Sequence, residues 1–77
     1  MTLDELKTAG IAFFMADVAV TEATAENGAM PNAVTWNITG AKGKASVSIS
    51  IFDALDPADW QTQAEPRWQR ALDWMAA

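Results

Sequence analysis

AVTWNITGAKGKASVSISIF, residues 33 to 52, is the stretch from which the fold is read. Val34, Trp36 and Ile38 alternate with Thr35, Asn37 and Thr39. Beyond a Gly/Lys-rich interval, Val47, Ile49 and Ile51 alternate with Ser46, Ser48 and Ser50. Successive side chains of a strand point to opposite faces, so period two on both arms predicts a half-buried antiparallel pair. A two-residue turn at Lys42-Gly43 pairs Ala41 with Lys44, Ile38 with Val47, Trp36 with Ile49 and Val34 with Ile51. All the large apolar side chains then share one face. A turn at Ala41-Lys42 suits a primed hairpin less well than a pair ending in Gly, so the Lys42-Gly43 register is the expected one. Trp36 becomes core, and the Thr/Asn/Ser face is solvated.

Working towards the N-terminus, Asp17 to Ala25 is β-favouring and predicts a first strand, followed by the turn pair Asn27-Gly28. A tight turn there sends Val18 and Val20 to the wrong face. A longer loop through Pro31 to Asn32 pairs Val20 with Ile38 and Glu22 with Trp36, and keeps Pro31 out of a ladder to which it cannot donate. The result is a three-stranded meander. Before it, Thr2-Leu3-Asp4-Glu5 matches a capping box, and both acids suit the positive end of a helix. A helix from Leu3 presents Ile11, Phe14, Met15 and Val18 as a stripe, joined by Leu3 and Leu6. Gly10 marks either close packing against the sheet or an early end.

Towards the C-terminus, Asp56-Pro57-Ala58-Asp59 offers an N-cap, Pro at the first helical position and an acid in the first turn. A short helical segment from Asp56 to about Gln63 is expected. Pro66 then interrupts, because the residue before Pro resists helical geometry. The last helix starts at Glu65 or Pro66, with Trp68, Ala71, Leu72 and Met75 on one stripe and Arg70 and Trp74 on another. The architecture predicted is α-β-β-β-α, an α+β fold in one domain over residues 1–77, with both helices on one face of the meander.

Composition narrows the function. Ten acids against five bases give a net charge of −5 and a pI near 4.2, which disfavours direct binding to nucleic acid or to anionic membranes. A basic partner is permitted. The acidic opening MTLDELKTAG is unlike a signal peptide, no apolar run reaches a membrane-spanning length, and Cys is absent. A cytoplasmic protein is expected. So small a core normally leans on disulfides or metals, and this chain has neither Cys nor His; sixteen of its residues are Ala, so its four Trp must carry much of the burial.

Catalysis is not expected. General acid/base and nucleophilic chemistry draws on His, Cys, Tyr, Lys or paired carboxylates, and the first three are missing. Asp53, Asp56 and Asp59 recur every third residue, but they are better explained as helix-start and strand-end residues than as a hard-cation site, so no metal and no cofactor is expected. Gly40-Ala41-Lys42-Gly43-Lys44 superficially resembles a phosphate loop, yet Ile38 stands where an earlier Gly is needed and Ala45 where Ser or Thr is needed. Asn37-Ile38-Thr39 matches a glycosylation acceptor within a strand, in a chain without a secretion signal.

The acids are unevenly placed. From Asp17 to Asn32 there are three and no base, and in the C-terminal third they outnumber Arg67 and Arg70. An ordinary solvated surface accounts for this. The functional alternative is a patch that docks on a basic surface, with Glu22, Glu26, Asp53, Asp56, Asp59, Glu65 and Asp73 as contacts. Trp60, Trp68 and Trp74 are many for so small a core, and a half-exposed Trp is a frequent interface anchor; Trp60 or Trp74 is the candidate.

In size, acidity, lack of Cys and His, and Ala-rich style, with MTLDELKTAG opening a helix and ADWQTQAEPRWQRALDWMAA closing one, the chain resembles the small phage and prophage anti-CRISPR proteins directed at type I surveillance complexes. The resemblance implies a stoichiometric, non-catalytic inhibitor in a bacterial host cell, which binds a basic surface of the effector complex and blocks target DNA. That family shares no fold and no motif, so it assigns no residue. The rival expectation is a small structural or adapter subunit, such as a phage particle component or a homodimer, which pairs through the uncharged strand edge from Ala45 to Phe52. A monomer is the expected state for the inhibitor.

Overall fold

Thr2 and Glu5 close the capping box that begins the first helix, α1 (Leu3–Met15). The Thr2 hydroxyl accepts from the Glu5 N–H at 3.2 Å, and the Glu5 carboxylate accepts from the Thr2 N–H at 3.1 Å. These contacts belong to a computed structural model that describes residues 2–30, 32–50 and 60–76, with backbone alone for 60–65, 75 and 76.

The inward stripe of α1 differs from the expected one. Leu6, Gly10 and Phe14 are buried, with Leu3, Ile11 and Phe13 packed against the core, whereas Met15 is half-exposed and Val18 fully exposed. The reason lies at the helix end. The chain leaves α1 after Met15, and the Asp17 carboxylate accepts from the Ala19 N–H at 2.8 Å, a local turn that releases Val18 to solvent.

Three antiparallel strands follow in the order β1 (Val20–Asn27), β2 (Ala33–Gly40) and β3 (Gly43–Ser50), so the α-β-β-β-α meander stands as expected. Its registers do not. The β2–β3 turn is Ala41-Lys42, with Gly40 opposite Gly43, Ile38 opposite Ala45, Trp36 opposite Val47 and Val34 opposite Ile49. The pairing is two residues from the Lys42-Gly43 register and keeps its parity, so the same side chains face inward. Neither turn residue takes a positive φ; Gly43, just after them, does, at 144°. Glycine is therefore used beside the turn rather than inside it, at a φ that other residues rarely adopt.

The β1–β2 register is three residues from the expected one. Ala23 faces Ile38 and Ala25 faces Trp36, where Val20 and Glu22 had been expected. The loop is long, as anticipated, with Gly28 N–H donating to the Ala33 carbonyl and Asn32 in the left-handed region at φ 58°. Parity is repaired by an extra residue, Thr21, between the Val20–Gly40 and Glu22–Thr39 pairs. That bulge turns Val20 inward although Ala23 and Ala25 occupy the inner row. β1 accordingly begins at Val20 rather than Asp17.

The last helix, α2 (Trp60–Ala76), runs unbroken through Pro66, so the expected division between Gln63 and Glu65 is absent. An interior Pro removes one backbone bond and costs about 3 kcal/mol. Burying Trp68 and Leu72 just downstream returns roughly 1.5 to 3 kcal/mol each, which is enough to hold the helix through it. The expected cap at Asp56-Pro57-Ala58-Asp59 and the inward Ile51 lie outside the described residues.

Both helices pack on one face of the sheet, α1 over β1 and β2 and α2 over β3. Between them lies an aromatic cluster. Trp68 sits 5.1 Å from Trp36 and from Phe13 and 5.7 Å from Phe14, measured between ring centroids. Trp68, reckoned among the surplus Trp, is therefore core, as is Trp36. The Trp36 indole N–H donates to the Lys7 carbonyl at 3.1 Å, and a Cβ on Gly10 would fall within the Trp36 ring. Close approach, not helix termination, is what Gly10 provides.

Candidate protein-binding surfaces

Among the described residues, both helices lie on one face and nothing covers the other face of the meander. Its rows follow from the registers: Glu22–Thr39–Lys44, Thr24–Asn37–Ser46 and Glu26–Thr35–Ser48. A polar network ties the last two rows together. Asn37 donates to the Glu26 carboxylate at 3.0 Å and accepts from the Ser46 hydroxyl at 2.9 Å, while the Thr35 and Ser48 hydroxyls are 2.8 Å apart. Beside it, Glu22, Thr24, Asn37, Thr39, Lys44 and Ser46 line a shallow depression of about 460 Å³.

Charge on this face is polarised. Glu22 and Glu26 are exposed on the outer strand β1, four residues and so about 13 Å apart, with Thr24 between them. The Glu26 carboxylate is steered by Asn37, and β1 carries no cation. Lys44 stands on the opposite border.

The remaining expected contacts are distributed differently. Asp73 is exposed on α2, 3.0 Å from the Gln69 amide that donates to it. Trp74 is 45% exposed on the same helix, with the Lys42 ammonium 5.3 Å from its ring centroid. Of Trp60 and Glu65 only the helical backbone is described, and Asp53, Asp56 and Asp59 lie outside the described residues. Glu22 and Glu26 thus share one strand face, and Asp73 with Trp74 belongs to the other layer. At the start of α1, Asp4 and Glu5 add two more exposed acids; the backbone and hydroxyl of Thr2 hold the Glu5 carboxyl below its ordinary value.

Sequence reasoning passed over two features. Asn37 reads as one more polar residue of a strand, and its role as a hub between Glu26 and Ser46 depends on register. Lys42, Lys44, Arg67 and Arg70 look scattered along the chain, yet the hairpin and α2 bring them to the β3 side of the molecule. Among the described residues, no group of three or more His, Cys, Asp or Glu is placed to hold a metal ion, and no helix is long and apolar enough to cross a membrane. No family model, no curated protein and no solved structure matches this chain.

Proposed function

We propose that this protein is a non-catalytic inhibitor that sets its acidic β1 border against a cationic surface of a nucleic-acid-binding complex and so blocks access of target DNA. The supporting observation is the pair Glu22 and Glu26, exposed on one face of an outer strand that carries no cation of its own. A DNA-binding channel is lined with Lys and Arg that exchange counterions for phosphates, and a rigid anionic border competes for the same groups. Rigidity matters as much as sign, because the sheet sets the spacing of the two residues before docking and Asn37 already holds the Glu26 carboxylate. The target class that the chain's resemblance suggests is a type I CRISPR surveillance complex, whose protein surface handles the target strands through backbone contacts.

The test is competition between this protein and target duplex for a purified type I surveillance complex. The double reversal Glu22→Lys/Glu26→Lys is expected to weaken binding to the complex at least about tenfold, with a Tm close to that of the parent. Unchanged affinity in a folded double variant would overturn the reading.

A second reading is favoured by the β3 border, which has no Pro and only one charge, Lys44. Such an edge suits a structural or adapter subunit, including a homodimer. Light scattering across a concentration series separates the two, since a stable oligomer supports the structural role.

A further inference from the structure

The two borders of the sheet are built differently. β1 is interrupted by the bulge at Thr21 and carries two acids, both features that discourage strand addition. β3 runs through eight consecutive pairs with β2 without a shift, and among the described residues it is an outer strand that turns alternate backbone N–H and C=O groups away from the sheet. Beside β3, α2 leaves a groove of about 420 Å³ lined by Ala45, Val47, Arg67, Arg70, Ala71 and Trp74, among others. Among the described residues, the charged side chains lining it are the two arginines. Lys42 stands over the exposed Trp74 ring, and Lys44 is the second residue of the strand, on the outer face. Four of the chain's five cations therefore belong to this strand, its turn and the facing helix, in a molecule of net charge −5. The nearby acid on α2, Asp73, takes its hydrogen bond from Gln69.

We infer that the β3 edge and this groove bind an extended acidic segment of a partner protein, which adds to the sheet as a fourth strand. Its backbone pairs with β3, and carboxylates on its helix-side face meet Arg70, with Lys42 beside the turn. A strand with alternating acids places them all on that one face. The local cations rather than the net charge govern the encounter, because fields beyond about 8 Å are largely screened at physiological salt. This site is separate from Glu22 and Glu26, and neither reading requires the other.

The experiment is an NMR titration of the whole protein with an acetylated, amidated octapeptide of alternating Glu and Thr, and with its Lys-for-Glu counterpart. The acidic peptide is expected to shift amide signals of β3 and of α2 around Arg70, and the basic peptide to leave them in place. Arg70→Glu combined with Lys42→Glu, two substitutions at the surface, should weaken the acidic peptide at least tenfold while the remaining spectrum is retained. The inference is overturned if the acidic peptide moves no β3 amide, if the basic peptide moves them equally, or if affinity survives the double reversal. A concentration-dependent doubling of mass through β3 without peptide would also overturn it, since the occupant would then be a second copy.

Discussion

Trp36 and Asn37 are neighbours in sequence on opposite faces of the middle strand, and their surroundings have little in common. Trp36 is fully buried, holds a hydrogen bond to the Lys7 carbonyl, and touches both helices' aromatic residues. Asn37 is exposed and holds Glu26 and Ser46 by side-chain hydrogen bonds that water could replace. One face fixes the shape through packing that tolerates no added atom. The other arranges polar groups at little cost and can be altered for recognition without unfolding the protein. Substitutions on the two faces should therefore differ in kind as well as in size.

The largest effect is expected at Gly10. Ala there gains about 1 kcal/mol of helix propensity, but its methyl group collides with the Trp36 indole, and overpacking typically costs about 1 to 3 kcal/mol. Gly10→Ala should therefore lower the urea midpoint. Gly10→Ala with Trp36→Phe should be less destabilised than the sum of the two single variants, because the smaller ring admits the methyl. Additive single effects would place the collision elsewhere.

On the outer face, Asn37→Ala removes both hydrogen bonds of the hub, and a loss of no more than about 1 kcal/mol is expected from exposed bonds. A cost of several kcal/mol in chemical denaturation would erase the contrast between the faces. The smallest effect concerns the exposed cap of α1. The Glu5 carboxyl is held low, first by the Thr2 backbone N–H and then by its hydroxyl. Because the folded value lies below the unfolded one, the stabilisation is complete above the ordinary carboxylate range and fades as pH falls towards the lowered value. An NMR titration of Glu5 should give a midpoint below that of the same residue in an unfolded peptide, and Thr2→Ala, which removes the hydroxyl but keeps the backbone N–H, should narrow the difference without abolishing it.

Much of the fold was legible because its signals are local. The Thr2–Glu5 box needs four residues, and the assignment of Val34, Trp36 and Ile38 to one face needs only parity, which survives a register error of two. Register itself depends on where positive φ is placed. Gly43 takes it after the turn and Asn32 takes it at the end of a loop, and neither position follows from composition. The bulge at Thr21 allows Val20 to face inward in a frame that simple alternation would reject. Pro66 was misleading for a different reason: a helix penalty is visible in sequence, whereas the burial of Trp68 and Leu72 that offsets it is tertiary. Of the candidate contacts, Glu22 and Glu26 owe their shared outer face to the observed register: the expected strand ends at Ala25 and sets Glu22 opposite the inward Trp36, whereas Glu22 pairs with Thr39 and Glu26 with Thr35. The gathering of Lys42, Arg67, Arg70 and Trp74 required the way α2 lies along β3.

The pairing of Trp36 with Trp68 also gives the molecule an optical reporter. Two indoles 5.1 Å apart and inclined at 76° couple their electronic transitions, so the folded chain should show a paired band in circular dichroism that belongs to neither chromophore alone. One ring rides on the sheet and the other on the last helix. Loss of that band before loss of the strand signal would time the undocking of the helix.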